Sequence, residues 1–340
     1  MSKECAEQVE GAGASVPMTD ISNIDVPEGT DELSRNTRRA WRDRLNSAST
    51  RKMITGVLAT LVGGSFWGFS GTSASFLFDT YHVDTLWLMS VRQILAGLLF
   101  MVVVVARDRA RLVKLWTTPA DRKQLLLFTA FGLLFNQFCY LSAVRLTNAG
   151  TATVLQCLQL VIIMGYTCVI DRRMPRTREV IGIGLALGGT FLIATGGDPT
   201  SLNISPLGLA AGLMCAVSAA CMAVIPAKIL PEYGSPIVTG SAMLTAGVVS
   251  CVFVQPWAHM PALDAAGIVA LAVFVVIGSF FAYMLYMQGV KDIGSVRASL
   301  IGTVEPVSAT ITSAVMLGTV FLPTDLIGFV MIIVMMFLTV

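Results

Sequence analysis

The amino-acid sequence predicts an all-α integral membrane protein of ten transmembrane helices, folded as two inverted five-helix repeats. Three observations carry that reading. Charged residues make up 13% of the chain and hydrophobic ones 55%, with a mean hydropathy of +0.74, against roughly 25% charged residues in soluble domains. No soluble core hides that much apolar surface. Basic residues fall almost entirely in alternate loops, the pattern that orients membrane spans. The stretch Gly132 to Leu160 can also be laid without a gap over Gly278 to Pro306, at an offset of 146 residues.

Taken in order, residues 1–34 carry eight carboxylates against the single Lys3, show no apolar periodicity, and read as a disordered tail. No apolar h-region opens the chain, so no secretory signal is expected. From Arg35 to Lys52 the sign flips to seven basic residues, with Trp41 and Leu45 at helical spacing. This is either a short interfacial helix on anionic lipid or a solvated flank that sets orientation. Residues 1–52 thus form a cytoplasmic tail with a basic juxtamembrane segment. Ten apolar segments come next, at about 54–77, 85–105, 124–144, 149–170, 178–195, 206–229, 236–255, 265–288, 297–318 and 323–340. Most approach the ~20 residues that a helix needs to cross a bilayer.

With the N-terminus placed inside, 21 of the 23 Lys and Arg residues fall in the tail or the inner loops; Arg145 lies outside and Arg92 within a span. Ten spans with both ends inside divide into two sets of five, at 53–195 and 196–340. Five is odd, so the second set runs inverted. The 146-residue echo agrees. Gly132, Phe135, Tyr140, Val144 and Ala152 recur as Gly278, Phe281, Tyr286, Val290 and Ala298, and Ile181-Gly182 recurs as Ile327-Gly328. The matching Arg145 and Lys291 loops lie on opposite sides, as in inverted-topology transporters.

Ser65-Phe66-Trp67-Gly68 in the first span, Arg92 followed by Ala96 in the second, Tyr140 to Ala149, Tyr283 to Gly289, Glu305-Pro306, and then Gly318 and Gly328 occur in that order over residues 54–340. In this the chain resembles the EamA-type family of the drug/metabolite transporter superfamily. The resemblance implies a transporter with its substrate cavity between the repeats, lined by the first, third, fourth, sixth, eighth and ninth spans. Two positions depart from the family pattern. Leu160 stands where the fourth span usually has a proline, and Thr319 follows Gly318 where an acid is common. The helix break is therefore assigned, with the charge, to the second half.

Glu305 is the only acid within a span. An ionised side chain at that depth costs from about 2.5 to more than about 10 kcal/mol unless it meets water, a partner or a proton. Pro306 removes a backbone donor and crowds the carbonyl of Gly302, which predicts a kink over Gly302 to Pro306. Glu305 then either binds a cationic group or exchanges a proton, or else the Glu-Pro pair only stabilises the kink. Arg92 either meets a substrate carboxylate or snorkels or ties two helices together. Gln156 and Gln159 share one helix face with Thr153, which either lines the cavity or bonds to neighbouring helices. Asn136 and Tyr140, with Gln137 adjacent, form a similar face in the third span, matched by Tyr283 and Tyr286 in the eighth. Their rings suit an amphipathic small molecule or plain packing. Trp67, among Gly64, Gly68 and Gly71, fits a cavity wall or a tight crossing.

The candidate substrate-binding set is thus Trp67, Asn136, Gln137, Tyr140, Gln156, Gln159, Tyr283, Tyr286 and Glu305, with Gly302 and Pro306 at the kink and Arg92 as an intramembrane charge. No catalytic residue, cofactor or metal is expected, since the spans hold no histidine and no P-loop lysine occurs. The expected function is export of small metabolites, amino acids or related compounds, across the plasma membrane by alternating access. The alternative is efflux of cationic or multidrug compounds; a membrane enzyme or sensor stands further off. Expected partners are a small-molecule substrate, the lipid bilayer and a proton or other coupling ion, but no nucleic acid, with the chain a monomer or homodimer. The expected location is a bacterial inner or cell membrane, with the N-terminus cytoplasmic.

Overall fold

In the computed structural model, residues 32–170, 172, 174–198 and 203–339 are described, and side chains only from 50 onward, without those of 295, 296, 299, 300 and 339. The expected disordered tail lies outside this set up to residue 31. Two compact units divide the chain, Met1–Thr50 and Arg51–Val340. The backbone of the first is helical from Glu32; the second holds the apolar helices.

Ten helical segments occupy the ten predicted places, and no strand occurs among the described residues. They are α1 (Thr50–Tyr81), α2 (Thr85–Thr117), α3 (Pro119–Leu146), α4 (Ala149–Ile170), α5 (Thr177–Thr195), α6 (Pro206–Tyr233), α7 (Ser235–Val254) and α8 (Ala265–Ile293), all long and apolar enough to cross a membrane. The ninth is split into α9a (Ser295–Gly302) and α9b (Val304–Leu317), and α10 is Pro323–Thr339. Helix α2 overruns its predicted end at 105 and reaches Thr117, with a kink at Asp108. The apolar pattern could not see this extension, because five of the twelve added residues are charged.

Polar caps set where the helices begin. Asp84 accepts from the amides of Leu86 and Trp87 at 2.9 and 3.0 Å, Asn148 from Thr151 at 2.8 Å, Ser205 from Gly208 at 3.0 Å and Asp264 from Gly267 at 2.9 Å. Each replaces one of the hydrogen bonds that a first turn leaves unmade. Gly196 and Gly318 close α5 and α9b in the left-handed conformation, both at φ 65°, where a Cβ would be strained.

The halves interlock through reciprocal pairs. Helix α2 packs on α7, and α5 packs on α10. Helix α3 packs on α6, and α1 lies along α8, where Gly278 faces Ser70 as Gly132 faces Met222 in the α3–α6 pair. At the α5–α10 crossing Gly189 and Gly328 face each other's carbonyls, so small residues permit the close approach. Exchanging the halves maps α3–α6 onto α8–α1, and α2–α7 and α5–α10 each onto themselves, as an inverted duplication requires.

The duplication extends to the irregularities. A π-helical turn interrupts α3 over Phe128–Leu134, and another interrupts α8 over Val273–Phe281. The 146-residue offset carries 128–134 onto 274–280. Helix α4 is broken at Cys157–Leu158, between α4a (Ala149–Gln156) and α4b (Gln159–Ile170), and the ninth span is broken at Thr303. The same offset carries Cys157 onto Thr303. The expectation of a break in the second half alone is therefore corrected: both halves are broken in register, one without any proline. In α4 the amides of Cys157 and Leu158 bond three residues back, to Val154 and Leu155 at 3.1 Å each, while the Cys157 thiol occupies the Thr153 carbonyl at 3.3 Å.

Candidate functional site

The two breaks face one interior. Call the membrane side where α1 begins the basic side, and its opposite the far side. On the far side α4a packs against α9b, and α1 joins them there. Thr72 meets Thr312 at 2.6 Å and Ser308 donates to the Ser65 carbonyl at 3.0 Å. The basic-side pieces pack elsewhere, α4b on α5, α6 and α10, and α9a on α8.

Glu305 sits in the first turn of α9b, one residue beyond the Thr303–Val304 junction and half-buried. A Cβ on Gly68 would lie 2.5 Å from the Glu305 carbonyl and 2.6 Å from the Ala309 amide, so only glycine lets α1 come this close. The carboxylate makes no hydrogen bond or ion pair among the described residues. The Tyr140 hydroxyl of α3 faces the same stretch of α1 one turn on, where a Cβ on Gly71 would lie 2.6 Å from it.

The aromatic residues gather beside it. Trp67 is 5.0 Å from Tyr286 and 6.5 Å from Tyr283, ring centre to ring centre, tilted at 45° and 58°. Tyr286 lies against Gly302, where a Cβ would come 3.3 Å from its ring. The Tyr283 hydroxyl is engaged by Ser235 and, at 2.8 Å, by Thr239 of α7. Tyr140 is buried, with its hydroxyl 3.4 Å from that of Thr153.

Arg92 is buried and crosses between the halves. Its Nε donates to Ser279 of α8 at 2.7 Å and a terminal nitrogen donates to Gln137 of α3 at 3.1 Å. The guanidinium lies 4.3 Å above the Phe274 ring, a cation–π distance. Ser279 in turn donates to the Phe274 carbonyl at 3.3 Å, inside the π-helical turn of α8. Neither Ser279 nor Phe274 stands out in the sequence. The one signal for Ser279 is adjacency to Gly278 in the repeated stretch, and for Phe274 its match to Phe128 at the same offset.

The structure therefore sorts the candidates. Trp67, Tyr286, Gly302, Pro306 and Glu305 come together at the α1–α8–α9 junction, and Tyr140 and Arg92 border the same space. Gln156 and Gln159 flank the α4 break with side chains that make no hydrogen bond among the described residues. Gln137 is occupied by Arg92. Asn136 points to α6, accepting from Ser218 at 3.3 Å and Cys215 at 3.4 Å and donating to the Met222 sulfur at 3.6 Å. A surface cleft of about 360 Å³ at Pro119, Arg122, Lys123, Leu126 and Leu127 shares no residue with this interior. No grouping of His, Cys, Asp and Glu suited to a metal ion occurs among the described residues.

Known proteins share this architecture. The profile of the EamA-like transporter family matches residues 54–195 and again 206–340. The chain is 32% identical over 280 residues to a protein of Salmonella typhimurium strain LT2 described as the uncharacterized inner membrane transporter YicL, covering 82% of this chain and 92% of that one. A chain from a crystal structure superposes with a TM-score of 0.56 over 85% of this chain and 96% of its own. At 16% identity, that likeness shows the fold alone.

Proposed function

Since the chain belongs to the EamA-like transporter family and is a multi-pass membrane transporter rather than an enzyme, we propose that it exports a small metabolite, an amino acid or a related compound, by alternating access. The observation that carries this reading is Glu305, an acid without a hydrogen-bond partner among the described residues, placed where a membrane helix is broken and aromatic rings converge. Charge at that depth is expensive. Its retention fits a group that meets a substrate or a proton.

The proposed site is Trp67, Tyr140, Gln156, Gln159, Tyr286 and Glu305, with Gln137 and Tyr283 behind it and Asn136 fixing α3 to α6. Far-side packing of α4a on α9b leaves the basic-side segments on separate partners, which fits an interior reached from the basic side. That side is the cytoplasm by the positive-inside bias, with the N-terminus inside. Movement of the 53–195 repeat against the 196–340 repeat then exchanges which pieces of the broken helices meet. The aromatic wall beside Glu305 gives the second reading, efflux of cationic compounds.

Flux in proteoliposomes tests both. A panel of amino acids, nucleotide-related metabolites and organic cations is measured at several pH gradients. Saturable flux of an amino acid or metabolite is expected, with a rate that follows the proton gradient if a proton is the coupling ion. Saturable flux of cations alone moves the assignment to the second reading, and no saturable flux across the panel sinks both.

A further inference from the structure

Arg92 is 6% exposed, yet among the described residues no carboxylate stands at ion-pair distance from it. The ion pairs found there are Lys114–Glu232 at 2.7 Å and Arg145–Asp84 at 4.0 Å. Its partners Ser279, Gln137 and the Phe274 ring are all uncharged. They take two of the five N–H groups a guanidinium offers. Burying a charge without a counter-ion is costly, because its desolvation is left uncompensated. Glu305 shows the complementary deficit, a negative group inside the spans that nothing described bonds to.

The two deficits border one space. One stretch of α1 runs past Glu305, the Tyr140 hydroxyl and the surroundings of Arg92. A Cβ on Gly68 would meet the Glu305 carbonyl, one on Gly71 would lie 2.6 Å from the Tyr140 hydroxyl, and Ser70 lies against Gly278, beside the Ser279 that Arg92 bonds. Arg92 and Glu305 make no ion pair. Neither charge has a twin: at the 146-residue offset Arg92 falls on Val238 and Glu305 on Gln159. Each intramembrane charge thus belongs to one half alone, and the two are opposite in sign.

Resting on the reading of Glu305 as a substrate contact, we propose that this site takes a dipolar substrate, its cationic group at Glu305 and its anionic group at Arg92. Such a ligand supplies each buried charge with a counter-ion and leaves the site neutral. A purely cationic ligand would satisfy Glu305 and leave Arg92 beside a like charge. A purely anionic one would reverse the fault. Arg92 is then the specificity-determining residue that separates amino-acid-like compounds from organic cations, and its contacts to α3 and α8 hold it aimed.

Calorimetric binding to the purified full-length protein tests this with phenylalanine, its methyl ester and its N-acetyl derivative, and with the same three forms of leucine. The ester keeps only the cation and the N-acetyl form only the anion. The free amino acid is expected to bind at least about tenfold more tightly than either derivative. Arg92→Gln should erase the preference, weakening the amino acid while the ester, relieved of a like charge, binds no more weakly than before, and Arg92→Lys should retain most of the preference. Arg92→Gln lowering all three forms equally marks Arg92 as a mere helix tie and overturns the proposal. So does an ester that matches the amino acid in the unmodified protein, a result needing no variant, and it leaves the cation-efflux reading standing. Binding of none of the six compounds, alongside saturable flux of another metabolite, overturns the dipolar assignment without touching transport.

Discussion

The broken helices α4 and α9 are twins in position and opposites in composition. Helix α9 has the residues from which a break is normally inferred, a glycine at 302, a proline at 306 and an acid between them. Helix α4 has Gln159-Leu160 where the twin has Glu305-Pro306, and it breaks at the matching residue. The difference teaches that the break belongs to the duplicated fold and the charge to one half. In α4 the i→i−4 ladder is given up to shorter-range amide bonds and a thiol at the Thr153 carbonyl. Proline reinforces a discontinuity that packing already imposes.

The sharpest attempt to undo this contrast exchanges the twin residues. Glu305→Gln is expected to cut transport by at least about tenfold, the size of effect produced by losing a contact worth about 1.4 kcal/mol. Gln159→Glu in the same chain should not restore it, because the fourth span carries no counterpart of the Arg92 surroundings. Recovered flux in the double variant would show the two breaks to be chemically interchangeable. The next largest effect concerns what holds α9b in place. Gly68→Ala sets a methyl 2.5 Å from a backbone oxygen that has no rotamer to escape with, and should destabilise the protein by about 1 to 3 kcal/mol. Unchanged thermal unfolding would mean that α1 and α9b do not pack closely enough for glycine to be required.

A smaller effect is expected for Pro306→Ala. If packing makes the break, restoring one donor changes stability by less than about 1 kcal/mol and flux by less than about threefold. Proline as the sole cause predicts a helix that closes and flux that collapses. The smallest effect lies at the far-side ends, where the Tyr81 hydroxyl bonds the Asp264 carboxylate. That hydroxyl, and then the Gly267 amide, hold the Asp264 pKa below the usual carboxylate range. A depressed carboxylate contributes stability above its unfolded value of about 3.9, and loses it as pH falls through the lower folded value. Tyr81→Phe should therefore unfold slightly earlier than the unmodified protein at neutral pH, with the difference shrinking below about pH 4. A difference that persists undiminished into strong acid would exclude the carboxylate as its source.

Much of this architecture is legible in the sequence because a bilayer leaves few options. Apolar runs locate all ten helices, and the spacing of Arg and Lys gives their alternation. Trp67, Tyr286 and Glu305 stand out as polar or aromatic exceptions in apolar helices, and they meet. Asn136 and Tyr283 stand out by the same logic, yet their polar ends are engaged by α6 and α7. Helical spacing says which residues share a face and not which neighbour that face meets. The α4 break is hidden for a different reason: no residue type announces a carbonyl taken by a cysteine thiol.

The paired π-helical turns preserve the angular phase of the helix downstream of each. A π-turn accommodates one residue more than an α-helical ladder, and each residue advances an α-helix by about 100°. Gln137 and Tyr140 lie just past the turn in α3, and Tyr283 and Tyr286 just past the turn in α8. Deleting one residue within either turn would let the ladder close as α-helix with the downstream tyrosine still near its present direction, whereas deleting one from the regular helix between turn and tyrosine would swing it by about a quarter of a revolution. Each π-turn is thus a place where the chain absorbs a change in residue count without turning the aromatic wall, duplicated along with the rest of the repeat.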